Sequence, residues 1–201
     1  MESPNNIEPE TRADIFAGIA GCYARPSLDL GAFLEANAES NGRPADPGAQ
    51  MFSDLLGQWR KNTLQELLVD YAGLFVGPFE TIAPPLGSVY LEDQPTLMGT
   101  STRDILDIYR QAGLDMAESF NGPPDHIIAE LEFLAYLVSA RLSADTETGQ
   151  TLHALEQRFL RHHLGAWIEP FTRKVTQGAG TGFYQLLGEL TRQAVLAETP
   201  I

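Results

Sequence analysis

A single cysteine, Cys22, among 201 residues excludes an internal disulfide. It falls on the apolar side of a predicted helix, where a free thiol serves as a small hydrophobe. Such cysteine usage fits a reducing compartment. Cations are scarce as well: 13 Lys and Arg stand against 27 Asp and Glu, a formal net charge of -14 with a pI near 4.5. That surface repels phosphate backbones and anionic lipid, which argues against nucleic acid or membrane as partner. It would speed encounter with a basic partner, beyond keeping the chain soluble. No run approaches the ~20 apolar residues of a membrane span, so no insertion is expected. The start, Met1-Glu2-Ser3-Pro4, lacks the basic and apolar regions of a secretory signal, and a cytoplasmic location is expected.

Enzyme signatures are missing too. There is no G-x-x-x-x-G-K-[ST] phosphate cradle, no G-x-G-x-x-G after a strand, no G-x-S-x-G and no H-E-x-x-H. Of the 4 histidines, His126, His153, His162 and His163, some could join Glu130 or Glu156 at metal-ligand spacing. No second liganding cluster accompanies them, so neither metal nor organic cofactor is expected and the chain reads as non-enzymatic. His162 and His163 read instead as a helix end meeting its C-terminal dipole.

What the chain does have is helical periodicity. Hydrophobic residues make up 43% and charged residues 20%, enough apolar mass for a packed core. One stripe holds Ile15, Phe16, Ile19 and Tyr23, and a second holds Phe52, Leu55, Leu56 and Trp59. Leu64, Leu67, Leu68, Tyr71, Leu74 and Phe75 continue at the same spacing. Ile127, Ile128, Leu131, Leu134, Ala135, Val138 and Leu142 predict a long helix. Leu152, Leu155, Phe159, His163, Trp167 and Phe171 predict another, and Phe183, Leu187, Leu190 and Ala194 the last. No comparable run alternates with period two, so the fold class is all-α, a single-domain helical bundle.

Punctuation divides the chain accordingly. Residues 1–10 read as a flexible tail and 11–199 as one helical domain. Arg25-Pro26-Ser27 ends the first helix. Ala38 to Gln50 and Gln177 to Gly182 read as loops. Thr100 or Ser101 can cap a helix that Gly113 terminates. Pro123-Pro124 lead into a helix expected to begin near Asp125. One long segment, Val76 to Gly99, suits neither helix nor strand ladder. Gly77, Gly87, Gly99, Pro78, Pro84, Pro85 and Pro95 break it, yet it carries Val76, Phe79, Ile82, Leu86, Val89, Tyr90 and Leu91. That apolar content predicts a loop ordered against the helices, either a functional loop or a crossover between two helical halves.

The expected helix start near Asp125 concentrates charge. Asp125 would sit in the first turn, His126 and Glu130 would share a face, and Glu132 would lie on Asp125's side. Three carboxylates around an imidazole could receive a guanidinium through paired hydrogen bonds. The same residues also suit an ordinary helix start.

These residues resemble a known family. Tyr71-Ala72-Gly73-Leu74-Phe75-Val76-Gly77-Pro78 resembles the Y-x-x-L-F-x-G-P run of the TorD/DmsD/NarJ redox-enzyme maturation chaperones. Ala83-Pro84-Pro85-Leu86-Gly87-Ser88-Val89-Tyr90 resembles their A-P-P-x-x-S-V-Y segment, nearest the DmsD branch. Pro124-Asp125-His126 with Glu130-Leu131-Glu132-Phe133 resembles P-D-H-x-x-x-E-L-x-F. Phe159, His163-Leu164, Trp167, Phe171 and Phe183-Tyr184 match the C-terminal spacing. The resemblance runs from about residue 12 to 195.

The resemblance implies an all-α chaperone in the cytoplasm. Its partner would be the twin-arginine leader of a DMSO-reductase-family molybdoenzyme subunit, bound until export by the Tat pathway. Contact with molybdenum-cofactor biosynthesis proteins, and a monomer with a domain-swapped dimer as alternative, are implied likewise. The implied peptide-binding residues are Leu74, Phe75, Pro84, Pro85, Leu86, Ser88, Tyr90, Asp125, His126, Glu130 and Glu132. Leu86 departs from the pattern, since DmsD-like members often carry Trp after the two prolines, and Tyr90 stands where a second aromatic is often Trp. Two other readings remain: a NarJ-type assembly factor acting on a mature N-terminus, and a guanine-nucleotide-dependent maturation factor.

Overall fold

Helix-forming stripes dominate the sequence, and helices dominate the molecule. The computed structural model describes residues 8–39, 47–77, 81–93, 99–114 and 122–199. Among them the order is α1 (Pro9–Cys22), α2 (Leu28–Glu39), α3 (Pro47–Trp59), α4 (Leu64–Tyr71), a π turn (Ala72–Val76), α5 (Ser88–Leu91), α6 (Thr100–Gln111), α7 (Ile127–Ser143), α8 (Thr146–His162), α9 (Leu164–Gly178) and α10 (Gly182–Glu198). The all-α expectation holds. The described residues contain no strand, only an isolated antiparallel bridge between Leu86 and His126.

Local chemistry sets the helix ends. At α4, Thr63 accepts from the Glu66 N–H while the Glu66 carboxylate accepts from the Thr63 N–H, a reciprocal capping box. At α8, the Asp145 carboxylate accepts from the Thr148 N–H at 2.8 Å. Gly113, at φ 81°, stops α6 as its sequence position suggests. The Leu114 N–H reaches the Tyr109 carbonyl and the Gly113 N–H that of Arg110, a Schellman closure needing the left-handed residue glycine supplies.

Several boundaries differ from expectation. Pro9 and Glu10, assigned to the tail, already form the first turn of α1, where a proline's fixed φ is pre-set for helix. Residues 1–7 lie outside the described residues. Helix α2 was not foreseen, and α3 begins at Pro47, so the loop expected from Ala38 to Gln50 reduces to residues 40–46, outside those described. Neither Thr100 nor Ser101 caps α6. Both lie inside its first turn, and the Glu92 side chain caps it instead, accepting from the Ser101 N–H and hydroxyl. The stripe from Leu152 to Phe171 is two helices, broken at His163 (φ -124°, ψ -109°).

The core is one cluster of buried side chains running from Ile15 to Val195. Helix α7 packs against α1 and α8, α9 against α8 and α10, and α3 against α2 and α10. Trp167, Phe171, Phe159, Phe183 and Tyr184 occupy its middle, each fully buried. Cys22 lies there as well, and burial pushes its thiol up to about 12, leaving it unreactive.

Candidate functional site

The regular spacing expected through Phe75 ends at Tyr71. The chain then widens into the π turn, closed by the Gly77 N–H on the Ala72 carbonyl at 2.7 Å. Such turns often mark functional positions. Here the turn drives Leu74 and Phe75 inward, and both are buried. Phe75 meets Tyr71, Tyr23, Tyr184 and Phe171 with centroids 5.4 to 6.3 Å away. Leu74 and Phe75 therefore stand beneath the surface.

The chain comes back against this turn. The Ile82 and Ala83 N–H groups donate to the Gly73 and Leu74 carbonyls at 3.3 and 2.9 Å. Pro84 to Leu86 then run beside the entry to α7. The Ile127 N–H donates to the Pro85 carbonyl at 2.9 Å, and the Gly87 N–H to the Asp125 carbonyl at 2.8 Å. Contrary to expectation, the segment includes a helical turn, α5, and one strand-like bridge. Its described part, 81–93, is ordered against the helices. Pro78, Phe79 and Pro95 lie outside the described residues.

Asp125 is not in a helical turn. Helix α7 starts two residues later, with His126 as its N-cap. The prolines before Asp125 hold this stretch extended, and the Tyr109 hydroxyl ties it down by donating to the Pro124 carbonyl at 2.8 Å. Asp125 is 4% exposed, and its carboxylate accepts from the Ser88 N–H at 2.8 Å. It thus fastens the start of α5 to the start of α7. His126 is half-buried, and its Nδ1 accepts from the Ile128 N–H at 3.2 Å, a role that needs a free lone pair. Burial lowers its pKa despite the opposing charge of Asp125, so the imidazole stays neutral and keeps that lone pair.

Glu130 lies one turn further on and is completely buried. Its Oε2 accepts from the Trp167 indole N–H at 3.0 Å, while Oε1 has no hydrogen-bond partner in the protein. Burial, reinforced by the charge of Asp125, holds its carboxyl well above the usual range against the opposing Trp167 bond. Glu130 is therefore a neutral acid near pH 7. Gly87 covers it: a Cβ there would lie 2.9 Å from the Trp167 nitrogen and 3.0 Å from Glu130 Oε1, so only glycine fits. Tyr90 stacks on Trp167 at 5.5 Å and 17°, with the Lys174 ammonium 5.1 Å from its ring centroid.

The structure thus brings Pro84, Pro85, Leu86, Ser88, Tyr90, Asp125, His126 and Glu130 together in two layers. Pro84, Pro85, Leu86, Ser88, Tyr90 and His126 are half-exposed, with Asp125 and Glu130 beneath. Glu132 is exposed on α7, apart from the buried pair. The expected ring of carboxylates open to solvent does not form. Sequence reasoning noted Trp167 only as part of a spacing pattern, and missed Tyr109 and Lys174. An aromatic seven residues before a lysine on one helix face was the available signal for a cation held near a ring.

Elsewhere, a cleft of about 350 Å³ lies between Asn62, Gln65, Glu66, Val69, Asp70, Gly180 and Thr181. The Asp70 carboxylate there accepts from the Gly180 and Thr181 N–H groups and the Thr181 hydroxyl. The other histidine expectation also changes. His163 is buried, with Nε2 2.9 Å from the Asp104 carboxylate, and burial lowers its pKa, so it presents no cation to the end of α8. Among the described residues no group of three or more His, Cys, Asp or Glu is placed to hold a metal ion. No helix among them is long and apolar enough to cross a membrane.

Comparison with known proteins converges on one family. The family model described as nitrate reductase delta subunit matches residues 42–173. The chaperone protein TorD of Shewanella loihica is 32% identical over 135 residues, covering 65% of this chain and 59% of that protein. The Tat proofreading chaperone DmsD of Salmonella typhi is 31% identical over 144 residues, covering 72% and 66%. The chain thus spans less than two thirds of the length of these relatives. A crystal structure described as a redox enzyme maturation protein from Archaeoglobus fulgidus shares the fold, with TM-score 0.58, 21% identity and coverage of 90% and 91%.

Proposed function

This chain belongs to the nitrate reductase delta subunit family, the family of the TorD and DmsD chaperones, and from that premise we propose that it binds the twin-arginine leader of a molybdoenzyme catalytic subunit before Tat export. It acts in the cytoplasm, without catalysis, through one chaperone domain spanning residues 11–199. The observation that carries this reading is the ledge of Pro84, Pro85, Leu86, Ser88, Tyr90 and His126, half-exposed and fastened over two buried carboxyls. A leader presents two guanidiniums followed by an apolar stretch. The ledge offers apolar and aromatic surface, and the chain's charge of -14 favours the cations. Ordering the leader on binding limits affinity and permits release.

Asp125→Asn tests the arginine contact. Asparagine keeps an oxygen for the Ser88 N–H and removes the charge. A hydrogen bond to a charged group is worth ~1.5–3 kcal/mol, so leader affinity measured by calorimetry should fall about tenfold to a hundredfold. Unchanged affinity with a small stability loss would reduce Asp125 to a structural fastener. Leader affinity should also fall between low and high salt as the ~10 Å Debye length at 0.1 M shortens, with residual apolar binding remaining. A salt-independent affinity would remove the electrostatic part of the proposal.

The family model's own description, nitrate reductase delta subunit, favours one second reading, a NarJ-type factor that grips a mature N-terminus. Pulldown with leader and mature N-terminal peptides separates them: capture by the leader alone supports the first, and capture by the mature peptide alone the second.

A further inference from the structure

We infer that Glu130 is an inner receptor for a leader guanidinium, reached when the Pro85–Leu91 segment lifts, and that it gives up a proton to solvent as the cation arrives. The inference rests on the leader-binding function proposed above.

The closed arrangement leaves two polar atoms unsatisfied. Glu130 Oε1 and the Tyr90 hydroxyl are both buried without a hydrogen-bond partner in the protein. Buried polar groups are nearly always paired, so two orphans at one place point to a ligand or a second state. Both belong to residues that meet Trp167, one through its indole N–H and one through ring stacking. Between solvent and Glu130 lies Gly87, a residue without a side chain. Few bonds hold the segment over this point: Pro85 and Gly87 to the α7 entry, and Ser88 to Asp125. A leader backbone laid along the α7 entry could replace them.

The chemistry selects a guanidinium. It presents five donors in a plane, enough to engage Asp125 and the free Glu130 oxygen together, which a lysine ammonium matches less well. The groups bearing on Glu130 are few. Asp125 lies ahead of α7, Tyr109 faces it from α6, Trp167 donates from α9, and Tyr90 covers from α5. His126 is neutral at the α7 N-cap, Lys174 stands over Tyr90, and Glu132 is exposed further along α7. The nearby charges, led by Asp125, are negative, and with burial they keep Glu130 protonated until a cation offsets them.

The sign of the linkage follows. Free protein holds Glu130 protonated and bound protein holds it ionised, so binding releases a proton and rising pH favours it. Affinity should climb by up to about tenfold per pH unit above the ordinary carboxylate range. It should level off where Glu130 in the free protein ionises by itself.

The test is calorimetric titration of a synthetic twin-arginine leader peptide in two buffers of different ionisation enthalpy at one pH. The expected result is release of close to one proton per peptide in wild type. In Glu130→Gln the release should vanish with the pH dependence, whereas His126→Gln should leave it intact. Leader binding with no proton release in wild type overturns the inference and leaves the function standing. Release that persists in a folded Glu130→Gln overturns it as well. Failure of wild type to bind any twin-arginine leader overturns the function and this inference together. The wild-type measurement decides the matter even if a variant does not fold.

Discussion

Trp167→Ala is expected to cost about 3–5 kcal/mol of stability, the range for deleting a large buried aromatic. Trp167 is fully buried in α9, against Phe171 at 5.2 Å and under Tyr90 at 5.5 Å. It also supplies the hydrogen bond that Glu130 receives. Trp167→Phe separates the two roles. It keeps most of the ring volume and removes the donor, leaving both Glu130 oxygens unpaired, a loss of about 1–3 kcal/mol. Denaturant unfolding followed by far-ultraviolet circular dichroism measures both. A loss below about 1 kcal/mol for the alanine variant would mean that the site collapses to fill the space, contrary to the packing described.

Glu156→Gln should be nearly as damaging, about 3 kcal/mol, because it breaks a buried ion cluster and leaves two cations behind. Glu156 is 2% exposed on α8 and meets Arg12 of α1 and Arg141 of α7. Arg12 also binds Glu198 of α10 at 2.6 Å, so the cluster joins four helices. The estimate sits at the low end of the usual range because Arg12 retains Glu198 and Arg141 is 32% exposed. The exposed pair of Arg60 and Glu35, at 61% and 51%, is the control. There Glu35→Gln should change stability by less than about 1 kcal/mol. Equal effects at the two places, in thermal or denaturant unfolding, would contradict the assignment of burial.

How much of this was legible in the sequence depends on the scale of the signal. Stripes such as Ile15, Phe16 and Ile19 gave helices at once, because spacing at 3.6 residues is local. Helix α2 escaped since Leu28 and Asp29 follow a proline-serine turn and Leu28 itself is exposed. His163 kept the spacing of a continuous helix across a backbone break, which periodicity alone does not register. The A-P-P segment and the Asp125 helix start were each visible. Their layering was not, because it depends on Gly87 fitting against Trp167, 80 residues further along the chain by the numbering of the two positions. Glu130 illustrates the same limit. As a residue type it looked like surface charge, and only its place under Gly87 makes it a neutral buried acid.

The widened turn at Ala72–Val76 bears on how this family can be aligned and engineered. A π turn holds one residue more than the α-helix it interrupts. Removing one residue between Ala72 and Val76 would let α4 continue regularly, rotating everything after it by about 100°. Phe75 would then leave its cluster of rings, and Ile82 and Ala83 would lose register with their carbonyls. A relative shorter by one residue at this point therefore cannot be threaded onto this chain by a simple gap. Its proline-rich segment must leave the helix in another direction, which makes the length of this turn a marker for subdividing the family.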